Sequence, residues 1–308
     1  MKDLKVVFMG TPEFSINVLD MLCKNTNVLA VVTQPDKEVG RKKILTYSPV
    51  KEYALKNNIK VLQPKRLKDE YQCIIDLNPD IIITCAYGQI LPFELLDYPK
   101  YKTINVHASL LPNYRGGAPI ERSIMSGDKV TGVTIMRTDV GMDDGDIIEA
   151  KEVEILDTDD IYTLSKKLSC AGAEVLLKVL PKIIDGTCKY IKQDRPKATF
   201  AYVIKREDEK IDFSDSAINI YNKIRALSKI GAYVINDNKE TKIYKARITN
   251  KKGDIGTISG IYKDGFGIYC SDGEIIVLEL QESGKKKMST KDYLNGVKKE
   301  ELLQRIYM

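Results

Sequence analysis

Short apolar runs alternate with amphipathic stretches over the first 150 residues, which predicts strands and helices in turn. The apolar runs predict strands at residues 4–10, 28–34, 61–62, 80–86, 103–107, 132–136 and 147–153. Amphipathic stretches predict helices at residues 48–56, 67–77, 119–125 and 161–184, and a first helix capped by Thr11, with Pro12 at its first position, that runs through Leu22. This alternation predicts an α/β protein with a doubly wound sheet, whose ligands bind at the carboxyl ends of the strands.

The pattern changes in the last third of the chain. A helix is predicted at residues 216–227, and short strands separated by turns then follow near residues 233, 241, 255, 267 and 274. Several short strands at this spacing predict a small β-barrel. Residues 191–206 are largely polar and have little periodicity, so we interpret them as a linker. The predicted domains are therefore residues 1–190 and 207–308.

Composition narrows the class of protein only a little. The chain is 43% hydrophobic and 30% charged, with a formal net charge of +5, and no apolar run is long enough to predict a signal peptide or a membrane span. The six cysteines form no C-x-x-C pair, which argues against zinc and disulfides and fits a reducing cytoplasm. Basic residues cluster at residues 36–51 and 284–288. Charge alone favours solvated loops at both places.

The candidate chemistry centres on His107, the single histidine of the chain. Asn105 lies two residues earlier, so both side chains of a strand would share one face. The acidic turn at residues 139–146 adds Asp143. This set suits attack of an amine on an activated one-carbon acyl group: Asn105 donates to the oxyanion, His107 carries the proton and Asp143 orients the imidazole. The alternative is a structural histidine beside two turns.

Other chemistries have weaker support. Ser109 has no G-x-S-x-G elbow, which argues against a serine hydrolase, and one histidine without H-x-x-x-H argues against a metal site. The turn G-T-P-E-F at residues 10–14 offers the N–H groups of a helix start to a ligand, but it is not a G-x-G-x-x-G loop. In A-Y-G-Q-I-L-P at residues 86–92, Gly88 permits close approach of a flat ligand. Taken alone, the first segment is equally compatible with a simple βα turn, and the second is better interpreted as an ordinary loop.

Together these motifs resemble the folate-dependent formyltransferase family. The resemblance is carried by N-V-H-A-S-L-L-P-N-Y-R-G-G-A-P-I from residue 105, G-V-T-I from 132 and D-V-G-M-D-D-G-D from 139, with G-T-P-E-F, T-Q-P-D, S-P-V-K, A-Y-G-Q-I-L-P and G-K-K-K-M-S elsewhere. It implies a Rossmann-like first domain, an OB-like second domain and formyl transfer from 10-formyltetrahydrofolate to the α-amino group of methionyl initiator tRNA, in support of translation initiation. It also implies a cytoplasmic monomer without a metal.

The resemblance implies three groups of site residues. The catalytic residues are Asn105, His107 and Asp143. The folate-binding residues are Ser109, Leu110, Leu111, Pro112, Tyr87, Gly88, Gln89, Ile90 and Leu91. The residues near the methionyl group or the tRNA are Gly10, Thr11, Pro12, Phe14, Arg41, Lys42, Lys43, Lys285, Lys286 and Lys287.

Two alternatives stay open at this point. One is a formyltransferase that acts on an amino sugar or on glycinamide ribonucleotide; the basic segment at residues 36–43 and the barrel with G-K-K-K argue for a tRNA instead. The other is an RNA-binding module without enzymatic activity, which leaves the set of Asn105, His107 and Asp143 unexplained.

Overall fold

A computed structural model describes residues 1–40, 43–236 and 239–307. Contacts within the chain divide it into two units. The first comprises Met1–Pro119, Val130–Glu154 and Ser165–Tyr202, and the second comprises Ile120–Lys129, Ile155–Leu164 and the chain from Val203 onward. Residues 191–202, interpreted above as linker, thus group with the first unit. The domain limits taken from the sequence stay a prediction.

The elements of the chain as far as its longest helix agree largely with the predicted ones. They are β1 (Lys5–Gly10), α1 (Ile16–Asn25), β2 (Asn27–Val32), β3 (Lys37–Val39), β4 (Ile44–Thr46), α2 (Pro49–Lys56), β5 (Val61–Leu62), α3 (Leu67–Glu70), α4 (Gln72–Ile75), β6 (Ile81–Cys85), α5 (Phe93–Asp97), β7 (Thr103–His107), α6 (Pro119–Met125), β8 (Val130–Arg137), β9 (Ile147–Glu154) and α7 (Ile161–Ile184).

The first unit is built on a seven-stranded sheet ordered β5-β2-β1-β6-β7-β8-β9. The strands from β5 to β7 are parallel, and β6 is buried along its whole length, as expected for a strand covered on both faces. The chain order reverses between β1 and β6, so the crevice at their carboxyl ends is the expected ligand position. The predicted Rossmann-like α/β architecture is confirmed.

Three local predictions differ from the structure. The first helix begins at Ile16 after a 3₁₀ turn at Glu13–Ser15, and Thr11 does not cap it: its hydroxyl donates instead to the carbonyl of Tyr87 at 3.0 Å. The helix predicted at residues 67–77 is two short helices, α3 and α4. The strand predicted at residues 132–136 is longer, extending over β8 at Val130–Arg137, and it pairs antiparallel with β7 and β9.

The later elements form the sheet of the second unit. They are α8 (Ala217–Ala226), β10 (Ala232–Asn236), β11 (Lys239–Thr249), β12 (Ile258–Ile261), β13 (Phe266–Tyr269), β14 (Glu274–Glu282), β15 (Met288–Ser289), α9 (Thr290–Asn295) and α10 (Lys299–Leu303). The strands pair antiparallel in the order β10-β11-β14-β13-β12, with β15 on β14. The small β-barrel domain predicted for this part of the chain is confirmed as a domain built on an antiparallel sheet, and its strand near residue 255 begins at Ile258. Among the described helices, none has the length and apolar character needed to cross a membrane.

Candidate active site

The three residues predicted as catalytic meet at the carboxyl edge of the first sheet. Asn105 and His107 project from the end of β7, and Asp143 lies in the loop between β8 and β9. The Asn105 Nδ2 donates to Asp143 Oδ1 at 3.4 Å, and His107 Nδ1 lies 3.6 Å from Asp143 Oδ2. Both separations are longer than an ideal hydrogen bond, and catalytic contacts of this kind commonly shorten when substrate is bound.

The imidazole of His107 is held between two oxygen atoms. The side chain is 6% exposed, and its Nε2 lies 3.0 Å from the carbonyl oxygen of Tyr114. A carbonyl oxygen only accepts, so Nε2 carries a hydrogen in this arrangement. The opposite ring nitrogen faces the carboxylate of Asp143. The ring is therefore oriented from both sides, as a proton-transfer group requires.

The orientation of the Asn105 amide follows from its neighbour on β6. The hydroxyl of Thr84 donates to Asn105 Oδ1 at 2.9 Å, which turns Nδ2 towards Asp143. An amide nitrogen carries two hydrogens. One of them points at the carboxylate, and the other can be offered to a substrate oxygen.

The loop that carries Asp143 is held in an uncommon backbone conformation. Asp143 has φ of 47°, in the left-handed region that aspartate tolerates better than most residues. The backbone N–H of Gly116 donates to Asp143 Oδ2 at 2.9 Å. The side chain of Gln193 donates to the carbonyl oxygens of Asp143 at 2.8 Å and of Gly145 at 2.7 Å. Asp143 is therefore held in place through both its carboxylate and its backbone carbonyl.

Gln193 is a site residue that the sequence did not reveal. Its Oε1 accepts from the Nε and Nη2 of Arg115, at 3.1 and 2.7 Å, while its amide group donates to the Asp143 loop. Arg115 is 5% exposed and lies between Tyr114 and Gly116. Tyr114 contacts His107 and Gly116 contacts Asp143. Gln193 thus joins the two loops of the site. It stands in a stretch interpreted as linker, and no local pattern marked it.

We expect Gln193→Ala to lower kcat roughly tenfold to a hundredfold with little change in folate affinity, because small displacements of catalytic groups have effects of this size. Steady-state kinetics with each substrate varied would separate the two effects. Gln72→Ala is the matched control, since its amide bonds only Asp76 on an exposed helix face. Equal kinetics for both variants would contradict a positioning role for Gln193.

The segment predicted to bind folate after β7 is rigidly held. The hydroxyl of Thr134 donates to the carbonyl of Ser109 at 2.7 Å and accepts from the N–H of Leu111 at 3.1 Å. Ser109 Oγ donates to the carbonyl of Asn113 at 2.6 Å, and the Leu111–Pro112 peptide is cis. The backbone of residues 109–113, which includes Leu110, is therefore held in place beside His107.

Residues 87–91, the second segment predicted to bind folate, present mainly backbone atoms and exposed side chains to a ligand. The ring of Tyr87 is 3% exposed and packs in the core with Leu67 and Ile74, where burial raises its pKa. Its carbonyl faces the edge of the sheet and accepts from Thr11 and from the amide group of Gln34. The remaining positions of the segment are Gly88 with φ of 90°, Gln89, which bonds Leu67 N and Pro64 O, Ile90, which is 88% exposed, and Leu91.

The residues predicted near the methionyl group lie at the same edge. Gly10 ends β1, and Thr11 and Pro12 follow it, while Phe14 is 9% exposed in the 3₁₀ turn. A side chain at Gly10 would come within 2.9 Å of Ser15, so the turn requires glycine for close packing. The turn therefore stands in the crevice between β1 and β6.

Those residues predicted to contact tRNA that the structure describes lie in exposed turns. Lys43 is exposed at the start of β4, in the β3–β4 hairpin, and Arg41 and Lys42 lie outside the described residues. In the turn between β14 and β15, Lys285 pairs with Glu282 at 2.6 Å and Lys287 pairs with Glu279 at 2.8 Å, and Lys286 is exposed. Exposed ion pairs of this kind contribute little to the stability of the fold, so these lysines can exchange their carboxylate partners for a phosphate.

No group of three or more His, Cys, Asp or Glu side chains within the described ranges is placed to hold a metal ion. A cavity of about 440 Å³ in the second unit contains none of the predicted site residues; it is lined by Glu207, Lys210, Ile211, Asp212, Phe213, Ser214, Ile255 and Tyr307.

Relatives of known activity cover nearly all of the chain. A methionyl-tRNA formyltransferase of Staphylococcus epidermidis is 49% identical over 298 residues, covering 95% of this chain and 96% of the relative. A methionyl-tRNA formyltransferase of Caldicellulosiruptor saccharolyticus is 47% identical over 306 residues, with 96% and 97% covered.

Solved structures share the fold at lower identity. The methionyl-tRNA formyltransferase from Clostridium thermocellum has a TM-score of 0.57 at 19% identity, covering 81% of this chain and 95% of its own. WlaRD, a sugar 3N-formyl transferase solved with dTDP and 5-N-formyl-THF, has a TM-score of 0.65 at 24% identity, covering 93% and 100%.

Both parts of the chain match models of one protein family. Residues 4–180 match the formyl transferase family, and residues 203–298 match the formyl transferase C-terminal domain. The first match contains Asn105, His107 and Asp143, so an RNA-binding module without enzymatic activity is the wrong interpretation. With these matches and relatives 47–49% identical over almost the whole sequence, the chain belongs to the formyl transferase family of formyl-transferring enzymes.

Proposed function

We propose that this enzyme transfers the formyl group of 10-formyltetrahydrofolate to the α-amino group of methionyl initiator tRNA. The observation that carries the choice of substrate is the identity of 49% and 47% to two methionyl-tRNA formyltransferases over 95% and 96% of the chain. The likeness to a sugar formyltransferase is at 24% identity and speaks only for the fold. We further propose that the enzyme works in the cytoplasm as a monomer and without a metal.

The proposed reaction needs no covalent enzyme intermediate. The neutral amine attacks the formyl carbon, a new C–N bond forms, and the C–N bond to the folate then breaks. What supports direct attack is the set of proton-transfer and hydrogen-bonding side chains at the edge of β7. The nearby hydroxyl of Ser109 donates to the carbonyl of Asn113 and not to the imidazole. An α-amino group has a pKa of about 7.7–8.0, so a substantial fraction is neutral near neutral pH.

The three residues then have separate tasks in one step. Asn105 Nδ2 donates to the formyl oxygen as negative charge develops on it. His107 carries a hydrogen on Nε2, so it takes the proton of the attacking nitrogen at Nδ1 and passes it to the leaving nitrogen of the folate. Asp143 lies 3.6 Å from the imidazole and stabilises its charged form during this transfer. The segments at residues 87–91 and 109–112 are proposed to hold the folate, with its formyl carbon above β7.

Product identification tests the proposed substrate directly. The protein is incubated with 10-formyltetrahydrofolate and initiator tRNA charged with methionine, the aminoacyl ester is hydrolysed, and the amino acid is identified by mass spectrometry. The expected product is N-formylmethionine. Parallel reactions contain an amino-sugar nucleotide or glycinamide ribonucleotide. Formylation of one of these amines, with methionine left unmodified, would overturn the proposal.

The basic segment at residues 36–43 is proposed to contact phosphates near the acceptor end of the tRNA. Replacing Arg41, Lys42 and Lys43 together with alanine is expected to weaken tRNA binding. Each lost phosphate contact also lowers the slope of log affinity against log salt by roughly 0.7–0.9. Filter binding at several salt concentrations measures both effects, and folate affinity is expected to stay the same.

Lysines at the opposite edge of the sheet provide the control for this prediction. Lys2 and Lys60 precede β1 and β5, Lys56 ends α2, and all three are exposed. Their triple alanine variant removes the same charge away from the site. If both triple variants have the salt slope of the unmodified enzyme, the segment at residues 36–43 is only a solvated turn.

A further inference from the structure

The segment at residues 189–202 concentrates positive charge and aromatic rings in the first unit. Its sequence, K-Y-I-K-Q-D-R-P-K-A-T-F-A-Y, contains four cations and one acid, in a chain whose whole formal excess is +5. The four cations are exposed: Lys189, Lys192, Arg195 and Lys197. We call residues 189–202 the basic-aromatic segment. Positive charge interleaved with exposed rings is typical of surfaces that bind single-stranded nucleic acid.

Two rings of this segment form an exposed stacked pair. Phe200 and Tyr202 are two residues apart on extended chain, so their side chains share one face. Their ring centroids are 5.6 Å apart with an interplanar angle of 6°, and the residues are 50% and 59% exposed. Large apolar surface exposed beside a reaction site commonly marks a contact with a ligand.

This pair is joined by backbone hydrogen bonds to the loop that orients the catalytic candidates. The N–H of Arg115 donates to the carbonyl of Thr199 at 2.9 Å, and the N–H of Ala201 donates to the carbonyl of Arg115 at 2.7 Å. The residues on either side of Arg115 are Tyr114, whose carbonyl contacts His107, and Gly116, whose N–H bonds Asp143. The stacked rings are therefore anchored next to the reacting groups.

We propose that the basic-aromatic segment binds the unpaired nucleotides at the 3′ end of the charged tRNA, with a base stacked on Phe200 and Tyr202. This deepens the proposed function and rests on it. The methionyl ester is attached to the last nucleotide, so that nucleotide must lie near Asn105 and His107 during transfer. The exposed cations pair with the phosphates. Lys197 lies 2.8 Å from Asp194 in a surface pair that a phosphate can replace, and the Arg195 side chain is 76% exposed and lies 3.5 Å from Asp144.

A fluorescent oligonucleotide tests this binding without relying on catalysis. The probe is a short single-stranded RNA ending in CCA with 2-aminopurine as its last base, whose fluorescence falls when the base stacks on another ring. We expect quenching on addition of the intact enzyme and its loss with the F200A/Y202A variant. The Phe200→Tyr and Tyr202→Phe variants keep both rings and are expected to keep the quenching.

Kinetics provide the second readout. Stacking of one base on an aromatic ring stabilises the bound nucleic acid. We expect loss of this stacking to raise the KM for charged tRNA roughly 5- to 150-fold. The KM for 10-formyltetrahydrofolate and the kcat at saturating tRNA are expected to change little. Tyr98→Ala is the matched control, because Tyr98 is 45% exposed and bonds Asn78 just before β6, at the opposite edge of the sheet. A Phe200→Leu variant serves if circular dichroism shows that the double variant does not fold.

The outcomes separate this inference from the proposed function. Unchanged quenching and unchanged KM for tRNA in the double variant would overturn it, even if the enzyme formylates methionyl-tRNA. A raised KM for the folate alone would also overturn it, because the rings would then belong to the donor site. If the enzyme formylates only a small amine, the proposed function fails, whereas the quenching experiment still reports whether the segment binds RNA.

Discussion

Replacing His107 with alanine is expected to slow formyl transfer roughly 10²–10⁴-fold, the usual range for loss of a general acid–base group. The chain has a single histidine, so no second imidazole can take over the proton transfer. Folate affinity is expected to change little, because Ser109 and Leu111 are held by Thr134 and not by the imidazole. Single-turnover rates with saturating tRNA, together with folate titrations, measure the two effects separately.

Thr103→Val is the matched control for this experiment. Thr103 is buried at the other end of β7, where its hydroxyl donates to the carbonyl of Leu95 at 2.6 Å. The variant therefore removes one buried hydrogen bond from the same strand but leaves the carboxyl edge intact. We expect it to lower stability and to keep the transfer rate. Near-full activity of His107→Ala would remove the histidine from the proposed mechanism.

The sheet could be predicted where burial alone determines the sequence pattern. The run at residues 81–85 is apolar because β6 is covered on both faces, and the structure has it as the central strand beside β1. The start of α1 was mistaken because Thr11 and Pro12 imitate a cap locally, whereas the Thr11 hydroxyl bonds Tyr87 across the crevice. Such a contact depends on residues 76 positions apart, which no local pattern contains.

The site was predictable where its residues stand close together in the chain. The spacing of Asn105 and His107 places them on one strand face, and the acidic turn at residues 139–146 supplied Asp143. Gln193 and the carbonyl of Tyr114 could not be found in this way. The Gln193 side chain bonds a backbone carbonyl of the Asp143 loop, Tyr114 contacts His107 through its own carbonyl, and only the folded loops bring these atoms together. Burial of the Tyr87 ring was missed for a similar reason: the packing of α3 and α4 over that ring is a property of the folded sheet.

Asp143→Asn is expected to reduce the transfer rate by an amount comparable to His107→Ala, because both changes remove the same proton-transfer arrangement. The substitution keeps the shape of the side chain while removing its charge. Asparagine tolerates the left-handed backbone at φ of 47°, and its Oδ1 can still accept from the N–H of Gly116. What disappears is the negative charge 3.6 Å from the imidazole, together with the oxygen that accepts from Asn105 Nδ2 at 3.4 Å. Unfolding midpoints close to that of the unmodified enzyme would show that the loop persists.

The double variant His107→Ala/Asp143→Asn then tests whether the groups act as one unit. Residues that serve a single step are strongly non-additive, so the double variant is expected to be only slightly slower than the slower single variant. Single-turnover rates of all four enzymes complete the cycle. Rate losses that multiply would mean that Asp143 stabilises the transition state by a route of its own, such as through Asn105, whose amide it contacts at 3.4 Å. A second cycle with Asn105→Ala would then locate that coupling.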